Sequence, residues 1–276
     1  MPLIADVVQQ AQRKVQNHAW GDVVWHVWGL EHQHPTTPLV LLHGGSGSWT
    51  HWVRNVQHLA QSRSVWALDL PGCGDSALPP QVGDADTLAP YVGEVLEQAF
   101  HGEPVDVMGF SFGGLTAGLL AAAQPHVFKQ MVMVGIPALG LFEKIVSLRG
   151  MTPHMDAQQQ RAVHQHNLMA MMCAHATSVT DEVIDLQIHN VQRDRLRRRR
   201  IARSDVLLGL QDSWQCPVHG VWGARDALYQ GTLARIPQVL YRLDTFQAIE
   251  DAGHWVMFEN PDAFHAVVDP LLAGSR

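Results

Sequence analysis

The chain has 276 residues, three cysteines and a formal net charge of −7 at pH 7. That length allows one large domain or two small ones with a substantial core, and the negative charge argues against a general nucleic-acid binder. Cys73, Cys173 and Cys216 are too few and too scattered for a disulfide framework or a zinc site. No apolar stretch approaches a membrane span, and residues 1–16 lack the basic-then-apolar pattern of a signal peptide. The expectation is a soluble cytoplasmic protein with no membrane or nucleic-acid partner.

In chain order, Ile4, Val7, Val8, Ala11 and Val15 recur at helical spacing and predict a short amphipathic helix. Residues 23–29 read as a strand, and residues 31–38 as a polar, Pro-containing turn. Leu39-Val40-Leu41-Leu42 is a continuous apolar run, the kind buried on both faces of a parallel sheet. It ends in His43-Gly44-Gly45. A small-residue loop covers 46–50, and 49–62 predicts a helix. Residues 65–70 form another apolar strand, which runs into Pro71-Gly72-Cys73-Gly74-Asp75-Ser76. A helix over 88–100 follows, then strands at 105–108 and 131–135. This alternation means a parallel α/β sheet.

Residues 138–208 contain no strand pattern, and Met169-Ala170-Met171-Met172 and Val183-Ile184 fit helices. Strands resume at 217–223 and 245–249, and a helix over 258–272 follows. The expected organisation is a core of residues 1–137 and 209–276, interrupted by a helical insertion at 138–208. The insertion carries ten Lys/Arg against seven Asp/Glu, whereas the remainder carries nine against nineteen.

Gly109-Phe110-Ser111-Phe112-Gly113 fits the G-x-S-x-G nucleophile elbow, between a β-rich run and a helix of small residues. A strained turn lifts the serine hydroxyl clear of the sheet, so positions two before and two after must be nearly free of side chain. A serine hydroxyl needs a base, and the base an orienting carboxylate. Two loops after strands offer them: Gly223-Ala224-Arg225-Asp226 and Asp251-Ala252-Gly253-His254-Trp255. Both Asp226 and Asp251 are acids at strand ends.

These motifs, with His43-Gly44-Gly45 and the 69–76 stretch, resemble those of the α/β-hydrolase fold superfamily over nearly the whole chain. The resemblance implies a mostly parallel central sheet flanked by helices, with a helical cap inserted after the sixth strand. It implies Ser111 as nucleophile, His254 as general base and Asp226 as the orienting acid, with Asp251 as the rival. It also implies an oxyanion hole from the backbone N–H groups of Phe112 and Gly45, with Gly44 or Ser46 as alternatives to Gly45. No cofactor and no metal are expected.

A serine at the elbow disfavours haloalkane dehalogenases and epoxide hydrolases, which by family pattern use aspartate there. Residues 49–55 and Asn190-Val191-Gln192-Arg193 are similar to stretches of the meta-cleavage-product hydrolases, which cut carbon–carbon bonds. Three positions depart from that pattern: His51 and Phe110 where those enzymes have asparagine, and Gln187 where they have arginine. The expectation is therefore hydrolysis of an ester, thioester or lactone of a small, largely apolar substrate. Carbon–carbon hydrolysis and non-catalytic small-molecule binding on the same fold are the alternatives. Candidate pocket residues are Gly44, Trp49, Phe110, Ile136, Met169, Met172 and Trp255. The arginine run from Arg193 to Arg203 reads as a solvated helix face or partner surface, with Arg193 and Arg197 as the members placed to face a cleft and an acidic substrate. A homodimer is left open.

Overall fold

The structure is a computed structural model and describes residues 2–31, 36–196 and 198–274. Among these, the strands are β1 (Gln12–His18), β2 (Gly21–Trp28), β3 (Leu39–Leu42), β4 (Val65–Leu68), β5 (Val105–Phe110), β6 (Phe128–Val134), β7 (Val218–Gly223) and β8 (Thr245–Ile249). They form one sheet in the order β1-β2-β4-β3-β5-β6-β7-β8. The pairs β1–β2 and β2–β4 are antiparallel, and every later pair is parallel. The helices are α1 (Pro2–Gln9), α2 (Val56–Leu59), α3 (Ala85–Phe100), α4 (Phe112–Ala123), α5 (Ala157–Asn167), α6 (Asp181–Gln192), α7 (Ile236–Val239), α8 (Val256–Glu259) and α9 (Pro261–Ala273).

The sheet separates two apolar clusters. One packs α3 and α4 on the first face, and the other packs α8, α9 and residues of α6 on the second. Strands β3 and β5 are buried along their whole length; β3 is an uninterrupted apolar run, and β5 is apolar but for Asp106 and Gly109. β5 lies between β3 and β6 and delivers its C-terminal end to the crevice above the sheet, where ligands of open α/β sheets bind.

Some elements differ from the sequence reading. Helix α1 stops at Gln9, and Val15 belongs to β1, where it pairs with Val24. β1 is an edge strand of mostly polar residues that alternates between exposed and half-buried positions. Only its pairing with β2 makes it a strand, so no run of apolar residues announced it. The helix expected over 49–62 is a 3₁₀ turn, Trp49–Trp52, followed by the four residues of α2. Between them the Asn55 side chain turns away to donate to the carbonyl of Met257 at 2.9 Å. The final helix is broken at Asn260, whose side chain accepts from Ala263 N at 3.3 Å and starts α9 afresh at Pro261.

Between β6 and β7 no strand occurs among the described residues. This segment holds α5, a five-residue π turn at Leu168–Met172, α6 and a series of 3₁₀ turns. Helix α6 ends at Gln192, so the arginine run is not a helical face. The Asp194 carboxylate accepts from the Leu196 backbone N–H at 2.9 Å, a local bond that competes with helix. The run is instead bolted to the core. Arg193 pairs with Asp75, Arg195 donates to the carbonyls of Gly72 and Gly74 at 3.3 Å, and the amides of Arg200 and Ile201 donate to Asp84, which also caps α3.

An arginine–carboxylate pair lies inside the core. Asp106 on β5, fully buried, meets Arg63 Nη1 at 2.6 Å, and Arg63 Nη2 donates to the Leu272 carbonyl at 2.5 Å. The pair ties the strand that carries the elbow to the last turn of α9. Removing one partner strands a charge in low dielectric, so Arg63→Ala is expected to destabilise the fold by about 3–5 kcal/mol. Chemical denaturation of the two proteins measures this, and a loss under about 1 kcal/mol, typical of an exposed pair, would refute it.

Candidate active site

Ser111 occupies the one-residue junction between β5 and α4, with φ 48° and ψ −115°. A non-glycine residue with positive φ is strained and persists only where its surroundings over-determine it. Here they do. A Cβ on Gly109 would lie 2.5 Å from Gly114 Cα, and one on Gly113 would lie 2.5 Å from the carbonyl oxygens of Leu42 and His43. The turn therefore packs backbone against backbone, with α4 wedged onto β3. Ser111 N donates to the Val134 carbonyl at 2.8 Å, which pins the turn to β6.

The structure brings His254 and Asp226 to this serine. His254 Nε2 lies 3.0 Å from Ser111 Oγ, and His254 Nδ1 lies 2.7 Å from Asp226 Oδ2. The carboxylate accepts from Nδ1–H, which leaves Nε2 to accept the serine proton. Both side chains are almost fully buried. The second oxygen of Asp226 accepts from Leu228 N at 2.9 Å, which fixes the carboxylate's rotation. Asp251 is turned away. It is 69% exposed and pairs with Arg225 at 2.9 Å.

The loop of His254 is held by Glu259, a residue sequence reasoning passed over. Its carboxylate accepts from the amide of Gly253 at 2.6 Å and from those of Ala174 and His175 at 2.9 and 3.0 Å. Gly253 can approach this closely because a side chain there would meet the backbone of Ala174.

The amides of Gly45 and Phe112 border the same cavity as Ser111 and have no protein acceptor among the described residues. Phe112 opens α4, so its N–H belongs to the positive end of that helix. Gly44 does not supply a donor, because its N–H is taken by His51 Nδ1 at 3.1 Å. His43 holds the other side of this loop: its Nε2 accepts from Leu70 N at 3.0 Å, and its Nδ1–H donates to the Gly44 carbonyl at 2.8 Å. Asp69 completes the support by accepting from the amides of Trp49 and Asp75, each at 2.9 Å.

The cavity has a volume of about 580 Å³. Phe110 and Met172 line it, with Phe142, Ile145, Val146, Leu148, Met171 and Leu228 supplying most of the remaining apolar wall. The other expected pocket residues lie elsewhere. Trp49 is buried against His26 and Trp28, at ring-centroid distances of 4.9 and 5.3 Å. Trp255 points into the core, stacks on Phe258 at 4.1 Å and donates to the His51 carbonyl at 2.8 Å. Ile136 is wedged against Gly114 under α4, Gly44 lies beneath the Phe110 ring, and Met169 borders a separate cavity behind Asp226. Arg193 is held by Asp75 and is not on the cavity wall, and Arg197 lies outside the described residues. Among the described residues no group of three His, Cys, Asp or Glu side chains is placed to hold a metal ion, and no helix is long and apolar enough to cross a membrane.

Burial sets the protonation of the supporting histidines. It pushes His43 and His26 down to about 4, and His51 well below the ordinary imidazole range. Burial raises Asp69 to about 6. A lowered imidazole contributes stability that is complete above its unfolded pKa of 6.5 and is lost as pH falls towards 4. The raised carboxylate works in the opposite sense, gaining stability as pH falls through 6. Three imidazoles outweigh one carboxylate, so thermal melts should show stability falling between pH 6.5 and 4, at up to about 1.4 kcal/mol per pH unit for each uncompensated imidazole. A melting temperature that stays level or rises over that range contradicts the assignment.

Residues 39–267 match the model of the alpha/beta hydrolase family. The chain is 28% identical over 231 residues to a dihydrolipoyllysine-residue acetyltransferase component of the acetoin cleaving system of Pseudomonas putida, covering 81% of this chain and 60% of that protein. It is 40% identical over 103 residues to a soluble epoxide hydrolase of Corynebacterium sp. (strain C12), covering 37% of this chain and 36% of the other. The chain thus spans less than two thirds of the length of these relatives. Among solved structures, a carboxylesterase from Bacillus subtilis superposes with a TM-score of 0.75 at 17% identity, covering 99% of this chain and 95% of that one. A membrane phospholipase A superposes with a TM-score of 0.74 at 24% identity, covering 100% and 92%. At such identities these likenesses carry the fold alone.

Proposed function

Because the chain belongs to the alpha/beta hydrolase family, we propose that it hydrolyses an ester bond of a small substrate through an acyl-enzyme on Ser111. The observation that carries this reading is the continuous hydrogen-bonded line from Ser111 Oγ through His254 to Asp226, at 3.0 and 2.7 Å. His254 Nε2 takes the hydroxyl proton as Ser111 Oγ attacks the carbonyl carbon. Asp226 holds the imidazole tautomer and stabilises the imidazolium that forms. The carbonyl oxygen becomes an oxyanion between the amides of Gly45 and Phe112, each worth on the order of 10²–10³ in rate. Collapse returns the proton to the leaving alcohol. Water, deprotonated by His254, then releases the acid and restores Ser111.

The nucleophile type separates this chain from epoxide hydrolysis, since serine stands at the elbow. Phe110 presents an aromatic ring to the cavity, and His51 is buried beneath it at a centroid distance of 5.5 Å. Neither offers the polar contact that carbon–carbon cleavage of a keto acid calls for, and this favours ester over carbon–carbon chemistry.

Rapid-mixing kinetics on a short-chain chromogenic ester test the reading. An initial burst of one equivalent is expected from the wild type, and a loss of kcat on the order of 10⁶ from Ser111→Ala. Turnover that survives Ser111→Ala rejects it, as does a ligand that binds with no turnover at all. Asp226→Asn should lower kcat by about 10⁴ through the wrong tautomer, whereas Asp251→Asn should change it by less than about threefold. Equal losses in the two variants would mean that the orienting acid has been misassigned.

A further inference from the structure

The charged lining of the cavity has one sign. Among the described residues Arg199, Arg203 and Lys144 border it, and no aspartate or glutamate does. Lys144 donates to the neutral Gln230 side chain at 3.2 Å, and among the described residues neither Lys144 nor Arg203 is paired with a carboxylate.

Arg199 lies closest to the chemistry. Its guanidinium is packed on Gly45, so that a Cβ there would sit 2.8 Å from Nε, and it lies 5.3 Å from the centroid of the Phe112 ring. Its Nη2 is held by Asp194 at 2.5 Å, and the same carboxylate oxygen accepts from Ser46 Oγ at 2.6 Å. Asp194 therefore orients the guanidinium from behind. The Nε–H, in contrast, is buried and meets no acceptor among the described residues. A buried, charged donor without a partner is costly and calls for a specific explanation. A bound anion beside Gly45 would supply the missing acceptor.

We infer that Arg199 determines specificity for a substrate that carries a carboxylate close to the scissile carbonyl, with Arg203 and Lys144 adding charge at the cavity rim. The inference rests on the ester-hydrolase reading and names its substrate class: a half-ester of a short dicarboxylic acid. The carboxylate would take the Nε–H of Arg199, and the apolar wall of Phe142, Met171 and Leu228 would take the remaining hydrocarbon. The attraction is charge-assisted and partly exposed, so it weakens with ionic strength.

The test compares monoethyl succinate with ethyl butanoate, which match in chain length and differ in the carboxylate, by titrating released acid at constant pH. The wild type should prefer the half-ester in kcat/KM, and the preference should shrink in 0.5 M salt, an ionic strength with a Debye length of about 4 Å. Arg199→Ala should lower the ratio of the two kcat/KM values by about 10–100-fold, and Arg199→Lys, which keeps charge but lacks Nε, should recover only part of it. Arg203→Ala and Lys144→Ala, at exposed positions, should each lower the ratio by about 3–10-fold, which keeps the test open if Arg199→Ala does not fold. A ratio unchanged in all of these variants overturns the inference, while Ser111-dependent turnover of ethyl butanoate leaves the hydrolase reading intact. Loss of turnover on both esters in the wild type defeats the hydrolase reading instead. Free succinate should inhibit ethyl butanoate hydrolysis more strongly than inorganic phosphate does. The reverse order would assign the site to a phosphate and overturn the carboxylate.

Discussion

The turn at Ser111 closes only because the backbone of α4 rests directly on the ends of β3 and β5. Gly113 lies against the carbonyls of Leu42 and His43, and Gly109 lies against Gly114. A methyl group at any of these places would push the helix off the sheet. The strained φ of Ser111 is the geometric result of that contact, and it aims the hydroxyl at His254. The contact also puts the first amide of α4 beside the loop that follows β3, so one packing constraint gathers Ser111, Phe112 and Gly45 at one cavity.

The surrounding loops are fixed by buried polar groups that never reach the cavity. His43 and His51 grip opposite faces of Gly44, and Asp69 draws Trp49 and Asp75 together. Each must hold one protonation state to do this. His43 needs its proton on Nδ1 and a free lone pair on Nε2, which a charged imidazolium lacks. The apolar environment that makes the two imidazoles costly to ionise keeps them in the neutral state the loop requires, whereas it works against the ionised form of Asp69.

Most of the framework was legible in the sequence, because buried parallel strands read as apolar runs and the motifs stand at their ends. Residues 39–42 and 245–249 appear as strands with the expected bounds. β1 was not legible, since an edge strand of polar residues takes its identity from pairing. Ser111, Asp226 and His254 were readable from loop position, but only the folded chain separates the two acids, through the 2.7 Å contact of Asp226 with His254 and the pairing of Asp251 with Arg225. The cavity wall was largely illegible. Trp255 and Trp49 flank functional positions in sequence, yet their rings turn into the core. Phe142, Leu228 and Arg199 come from segments without periodicity, and only the folded chain gathers them. The arginine run misled for a related reason: Asp194 ends the helical pattern by taking a local amide.

Glu259 joins the amides of Gly253, Ala174 and His175 through a single carboxylate. The loop that carries His254 and the end of the π turn therefore share one rivet. Motion of the 168–176 segment cannot widen the cavity there without dragging Gly253 and tilting the neighbouring imidazole. The 144–148 segment also borders the cavity, and among the described residues its side-chain-mediated hydrogen bonds go to Gln230 and His166 rather than to the loop of His254, with Ile145 90% exposed. The wall at 168–176 and the loop of His254 thus form one mechanical unit, so a change in the shape of that wall is also a change at the imidazole.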